Sequence, residues 1–167
     1  MNAIACLDAQ DALGYQGELV YRIPEDLRNF YELTTQGKNN VIIMGRKTHE
    51  SMGCTVLKKR INIVLSRDPE FVSNDPNLIV ARSKEEAISY TKGADNIFII
   101  GGSAIYDLFE PEIETFYVSR VMAIRPADTF YMLPLDFQMV HESDPQFYGD
   151  LSFTYQIYKK HLEDSFV

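Results

Sequence analysis

The sequence predicts an α/β domain whose central sheet is parallel through most of its width and antiparallel towards the C-terminus, with helices on its faces. Two observations carry this. Apolar runs of four to seven residues recur along the chain, separated by amphipathic stretches and turn residues, the alternation that sets helices between parallel strands. In the last third the rhythm changes. TFYVSRV, DFQMVHES and SFTYQIYKK follow one another through polar or Pro-containing loops with no helical stretch between them, so antiparallel pairing is expected there.

Taken in order, Ala3 to Leu7 reads as a buried strand because no polar residue interrupts it before Asp8. The stretch from Asp8 to Glu18, with Gly14 and Gly17, has little to bury and is expected to be a mobile surface loop. IPEDLRNFYELTTQG is the clearest helix: Pro24 suits the first helical position, Glu25 and Asp26 fall in the electropositive first turn, and Gly37 suits a left-handed terminator. Leu27, Phe30, Tyr31 and Leu33 form its apolar stripe, and Asp26 shares a side with Phe30 and Leu33.

Val41 to Gly45 is a second buried strand, followed by the short helix-compatible RKTHESMG, and Ile61 to Ser66 is a third. NLIVARS passes into SKEEAISY, where Ser83 and Glu86 have the spacing of a capping box. Ile97 to Ile100 then meet Gly101 and Gly102, and Ser103 is expected to cap the next helix.

Composition narrows the function. At 167 residues, 46% hydrophobic and 24% charged, the chain fits a single domain spanning 1–167. A net charge of −8 opposes nucleic acid and acidic membranes, so neither is expected as a partner, and any anionic ligand needs a local basic cluster. Cys6 and Cys54 belong to no CxxC or Cys/His cluster and read as free thiols. His49, His141 and His161 share no metal spacing and are given structural or surface roles; no metal is expected. The opening MNAIACLDAQDALG lacks a basic leader, and no apolar run nears the roughly 20 residues that span a bilayer, so a cytoplasmic protein is expected. No heptad pattern is present, and a monomer is expected.

Ligands on such sheets bind beyond the C-terminal ends of the strands, which here are the Asp8 loop, Gly45 to Thr48, Ser66 and Arg67, Arg82 and Ser83, and Gly101 to Ser103. The Gly101–Gly102 pair fits either a tight turn or backbone N–H groups bared for a pyrophosphate. It is neither GxGxxG nor a P-loop. Arg46, Lys47, Arg67 and Arg82 are either solvated charges or a phosphate pocket at one sheet edge. Asp26 either complements its helix dipole or, at the border of an apolar face, takes paired hydrogen bonds from a flat heterocycle. No GxSxG elbow or activated cysteine points to covalent catalysis.

With those residues in place, the chain resembles dihydrofolate reductase of the short bacterial type along essentially its whole length. LGYQGELVYRIPEDLRNF is similar to that family's flexible loop and acid-bearing helix, and VIIMGRKTHESMG to its cofactor-binding strand and turn. INIVLSR, IFIIGGSAIY and FYVSRV continue the match in order. The resemblance implies a three-layer fold with an eight-stranded, mostly parallel sheet, an antiparallel C-terminal part and about four flanking helices. It implies NADPH-dependent reduction of 7,8-dihydrofolate, with hydride reaching pterin C6 and a proton N5, and antifolate inhibitors as further ligands.

By the same resemblance, Asp26 binds the pterin 2-amino group and N3 with help from Ser119, while Tyr21, with Val20 in place of the family's usual Pro-Trp, positions a water. Ile4, Ala5, Cys6, Leu27, Phe30, Met52, Leu57 and Ile100 line the pocket, and Arg60 holds the substrate's α-carboxylate. Ala5, Leu13 and Gly14 face the nicotinamide end of the cofactor. Gly45, Arg46, Lys47 and Thr48 resemble its phosphate-contacting turn, and Gly101, Gly102, Ser103, Ala104, Ile105 and Tyr106 resemble its cofactor-binding Gly-Gly motif and the residues that continue it. Ser66, Arg67 and Arg82 resemble the 2′-phosphate pocket, and the two glycines a cis pair. Two other readings stand beside this one: a same-fold reductase of a riboflavin-pathway pyrimidinone, and a non-catalytic pterin or dinucleotide carrier.

Overall fold

The computed structural model describes residues 1–161. Strand β1 (Asn2–Asp8) lies at the centre of the main sheet, between β8 (Thr115–Val121) and β7 (Asn96–Ile99). Beyond β7 come β4 (Asn40–Gly45), β5 (Ile61–Leu65) and β6 (Leu78–Ala81), all parallel. On the other flank, β12 (Leu151–Lys160) runs antiparallel to β8, and β10 (Phe137–Glu142) antiparallel to β12. The short β11 (Gln146–Tyr148) pairs on β12 off this eight-strand path. Helices α1 (Pro24–Thr34), α2 (Arg46–Ser51), α3 (Lys84–Ser89) and α4 (Ser103–Phe109) are inserted between the parallel strands.

Alternation along the strands sorts the core onto two faces, because successive side chains of a strand point to opposite sides of the sheet. Ala3, Ala5 and Leu7 of β1 and Val41 and Ile43 of β4 pack with Ala87 of α3 and with Tyr106 and Phe109 of α4. Ile42 and Met44 turn to the other face, with Met52, Leu57 and Ile100 against them. Ile4, Cys6 and Asp8 of β1 share this second face, which is where α1 and the site lie.

Several expectations are corrected. TFYVSRV, grouped with the antiparallel segments, is β8 and lies parallel to β1; only the strands after it reverse. A strand that follows a helical crossover returns in the direction of its predecessor, and α4 supplies that crossover. The Asp8 to Glu18 stretch is not a bare loop. Its Ala12–Tyr15 (β2) pairs with Glu18–Leu19 (β3) and Thr129–Phe130 (β9) in a small second sheet, with Ala12 and Leu13 buried. Gln16 and Gly17 take the positive φ values of 51° and 80° that a tight hairpin turn requires.

Ser103 does not cap α4. It is the first helical residue, and Gly102 occupies the cap position without a side-chain bond. Ser83 does cap α3, accepting from the Glu86 N–H at 3.1 Å, while Glu86 reaches back to the Arg82 N–H at 3.0 Å. On α1, Leu27 and Tyr31 are 47% and 40% exposed, so the apolar stripe is only half covered by protein. Gly37 is left-handed, φ 89°, three residues past the last helical residue.

Candidate active site

The substrate half of the site is set by register. Cys6 of β1 pairs with Ser119 of β8, and Ser119 with Tyr155 of β12, so these three residues form a row on one face of the sheet. Asp26, in the first turn of α1, meets that row. Ser119 Oγ donates a short hydrogen bond to Asp26 Oδ1, and the Cys6 thiol is a second hydrogen-bond partner. Tyr155 Oη donates to the Glu25 carbonyl at 3.3 Å. Burial pushes the Asp26 carboxyl above the usual carboxylate range, with Ser119 and Cys6 pulling it part of the way back. Burial and then the neighbouring Asp26 drive the Cys6 thiol up, and the Tyr155 hydroxyl is pushed up to about 12 by burial and the same carboxylate. The chemistry of this arrangement is a half-buried carboxylate with one oxygen taken by a neutral donor and an apolar border.

On the face of the sheet that carries Ile4, which is buried, Met52, Leu57 and Ile100 are half-buried and pack together; on α1, Phe30 is half-buried and Leu27 exposed, and the side chain of Ala5 turns to the opposite face. Arg60 lies beyond Phe30. Its guanidinium is 5.9 Å from the Phe30 ring centre and 5.4 Å from that of Tyr31. Nη1 donates to Thr34 Oγ1 at 2.9 Å and Nε to the Lys58 carbonyl at 2.8 Å, and the residue is 6% exposed. No carboxylate among the described residues lies within 4.0 Å of it. Burial lowers its pKa, as expected for a cation held by neutral acceptors alone. Such a group gains most from an incoming anion.

Tyr21 is buried, and its hydroxyl donates to Asp8 Oδ2 at 2.9 Å. Burial and that bond raise its pKa, so it stays protonated. Asp8 is fully buried and also accepts from the Gln10 and Ala12 N–H groups at 2.9 and 3.0 Å, tying the end of β1 to β2. The β2–β3 hairpin is held over the strand ends by Asp128, whose Oδ2 accepts from the Gln16 N–H at 2.9 Å and whose own N–H donates to the Gly14 carbonyl at 3.0 Å.

The dinucleotide half is built from glycines. The Gly45 N–H donates to the Gly101 carbonyl at 2.9 Å, bringing the starts of α2 and α4 together, and neither helix has a side-chain cap. The Gly101–Gly102 peptide is cis. A Cβ on Gly45 would meet Ile105 at 3.0 Å, and one on Gly102 would project to 3.7 Å from Thr48 Oγ1. This is a backbone-lined cradle that side chains would fill, and it fits a pyrophosphate. Next to it, Ser66, Arg67, Arg82, Ser83, Lys84, Ala104 and Ile105 line a cavity of about 460 Å³.

The cations at this edge are not equivalent. Arg46 pairs with Glu50 and Asp68, each at 2.9 Å. Arg82 gives its guanidinium to the carbonyls of Ser66, Asp68 and Phe71, so it fastens the loop after β5. Lys84 pairs with Glu112 at 2.8 Å. Among the described residues Lys47 and Arg67 have no carboxylate within 4.0 Å, which leaves Arg67 as the cation of the cavity whose charge is uncommitted. Tyr106 is 1% exposed and donates to the Ile4 carbonyl at 2.7 Å, tying α4 to β1.

Sequence reading missed Tyr155, Thr34 and the grip of Asp8 on Tyr21. An acid closing a buried strand was a readable signal for Asp8. Nothing local could mark Tyr155, whose place depends on the register of β12.

Known proteins resemble this chain along nearly its whole length. The family model for dihydrofolate reductase matches residues 1–160. The dihydrofolate reductase of Lactococcus lactis subsp. lactis (strain IL1403) is 33% identical over 163 residues, 91% of this chain and 94% of that protein. That of Aedes albopictus is 29% identical over 179 residues, 95% and 96% of the two chains. Among solved structures, dihydrofolate reductase from Enterococcus faecalis complexed with NADP(H) and RAB-propyl superimposes with a TM-score of 0.83 at 27% identity, covering 95% of each chain. Matched along its length by the family model and by bacterial relatives, the chain belongs to the dihydrofolate reductase family, a family of enzymes.

Proposed function

We propose that this chain reduces 7,8-dihydrofolate to 5,6,7,8-tetrahydrofolate with NADPH. The observation that carries the reading is the Asp26 carboxylate, held by Ser119 at the edge of an apolar cleft and facing no cation among the ion pairs of the described residues. A pterin presents a ring N–H and a 2-amino group side by side, and a carboxylate answers them with paired charge-assisted hydrogen bonds. Ile4, Ala5, Cys6, Leu27, Phe30, Met52, Leu57 and Ile100 enclose the bicycle, and Arg60 receives the α-carboxylate of the tail.

The glycine cradle with Arg46, Lys47, Thr48, Ser103, Ala104 and Ile105 would hold the pyrophosphate of NADPH. Ser66, Arg67 and Arg82 would hold its 2′-phosphate, with Ala5, Leu13 and Gly14 beside the nicotinamide. When bound, NADPH supplies the hydride that arrives at pterin C6. Asp26 fixes the orientation of the ring and its charge favours protonation at N5; it lies too far along the bicycle to pass the proton on, so solvent provides it. Tyr21, protonated and anchored by Asp8, walls the cleft and orients the water that delivers that proton. The β2–β3 hairpin, fastened through Asp128, excludes bulk water and keeps the reacting carbons close. The protein acts as a cytoplasmic monomer in this reading.

A spectrophotometric assay of NADPH oxidation tests the proposal. Turnover is expected with dihydrofolate and absent with the riboflavin-pathway pyrimidinone, with NADH a poorer donor. Turnover with the pyrimidinone alone, or with neither, would overturn it.

A further inference from the structure

One member of the row that meets Asp26 is a thiol, and its neighbours fix its proton. Cys6 of β1 stands directly beside Ser119 of β8, on strands about 4.8 Å apart, and both side chains reach the Asp26 carboxylate. Away from that carboxylate Cys6 packs on the apolar group of Tyr21, Ile23, Val121 and Phe153. Burial, then Asp26 and to a lesser degree Asp8, hold the thiol proton on well above the ordinary range, against a small pull from Arg120. Cys6 is therefore a standing S–H donor and not a nucleophile. The other polar groups around the pair are committed elsewhere. Tyr21 Oη donates to Asp8 Oδ2, and Asp8 Oδ1 takes the Gln10 and Ala12 N–H groups. Arg120 gives its guanidinium to Asp11, to the Asp8 carbonyl and to Gln156. Tyr155 donates to the Glu25 carbonyl, and Glu25 and Glu32, on the same helix as Asp26, bear on Tyr155 and not on Asp26. Two neutral donors, one hydroxyl and one thiol, are left to hold the Asp26 charge against burial.

We propose that Cys6 is a positioning residue of the reduction: its thiol donates to Asp26 from the sheet side and, with Ser119, keeps that carboxylate ionised and turned towards the two N–H groups of the pterin. The inference rests on the reductase reading above and adds to it a task for a residue that there only lines the pocket. Each carboxylate oxygen carries two lone pairs, so a donor from the sheet and a donor from the ligand can share the group. Substrate then meets an anion already oriented, and less has to be ordered on binding. A carboxylate that lost one of its two donors in so apolar a place would keep its proton to higher pH and accept from the pterin only above that pH.

The test uses the ranking of donors: a hydroxyl is stronger than a thiol, and a methyl donates nothing. Folate binding without cofactor is measured by calorimetry across the acid range in the wild type, Cys6→Ala and Cys6→Ser, with kcat/KM for dihydrofolate followed alongside. Affinity should fall as acid protonates Asp26, and the ligand's own titration is common to all three proteins, so a displaced midpoint belongs to the site. Cys6→Ala should move the midpoint up by about half to one pH unit, the scale of a weak hydrogen bond to a charged group. Cys6→Ser should move it down. Both replacements are smaller than cysteine, so a role in packing alone would shift the two in the same direction. Midpoints that move together, or stay where the wild type has them, overturn the role of Cys6 and leave the reductase reading standing. If Cys6→Ala does not fold, Cys6→Ser alone decides: a lower midpoint supports the proposal, and an unchanged or higher one overturns it. A wild type that neither binds folate nor reduces dihydrofolate overturns the reductase reading and this inference together.

Discussion

The two halves of the site solve recognition in opposite ways. Around Asp26 there is one half-buried charge, and its partners are neutral: a serine hydroxyl and a thiol. Around the glycine cradle, charges are many; the half-buried Arg46, Arg82 and Lys84 are already paired or bonded within the protein, and Lys47 and Arg67 are exposed. A lone charge in a low-dielectric cleft has large leverage, and a set of screened charges shares its work among members. Substitutions on the substrate side should therefore be severe and selective, and those on the cofactor side graded.

The sharpest break of that contrast is Asp26→Asn. It should lower turnover on dihydrofolate by on the order of 10²-fold or more, the scale of losing one essential electrostatic group, with NADPH binding by fluorescence unchanged. Near-normal turnover would end the assignment. Arg60→Leu should raise KM by about ten- to a hundredfold, as for a lost charge-assisted hydrogen bond, with a smaller change in kcat; an unchanged KM removes Arg60 from the tail site. On the other side, Gly102→Ala puts a methyl into the cradle, at a φ of −83° that any residue adopts. NADPH affinity by calorimetry should fall about tenfold, about 1.4 kcal/mol, with the fold retained. Arg67→Ala should weaken NADPH about three- to fivefold and leave NADH untouched, the range of a single exposed charge; equal losses for both would place Arg67 outside the 2′-phosphate pocket.

The smallest effect is on stability. Burial raises the Asp26 pKa above its unfolded value, so the fold favours the protonated form. That contribution is fully present below the unfolded value of 3.8 and is lost as pH rises through the folded one, which makes the ionised carboxylate a cost at neutral pH. Asp26→Asn should therefore melt a few degrees higher than the wild type at neutral pH, and the gap should close below pH 3.8. A variant that melts lower at neutral pH would mean that the Ser119 and Cys6 hydrogen bonds outweigh the burial.

Much of the fold was legible before any coordinates. Pro24 and the first-turn acids mark α1, Ser83 and Glu86 mark α3, and unbroken apolar runs mark β1, β4, β5 and β7. The errors fall where the local pattern is indifferent to the partner. TFYVSRV has the composition of a strand in either direction, and its place beside β1 follows from the crossover before it. The Asp8 to Glu18 segment is too short and polar to announce strands, yet β9, more than a hundred residues away, gives β2 an edge to pair with.

The sequence by itself determined which residues could do chemistry: the acid in the first turn of α1, the Gly-Gly pair, the basic residues at strand ends and the whole-length family resemblance. These are properties of local spacing, of side-chain type and of backbone freedom, and they survive without a fold. Only the tertiary structure decided which of them are available. Whether Arg82 meets carbonyls or solvent, whether Tyr106 faces a ligand or the core, and whether Cys6, Ser119 and Tyr155 stand in one row against Asp26 depend on strand order and register. Those are sums of many weak long-range contacts, and no short stretch of chain contains them.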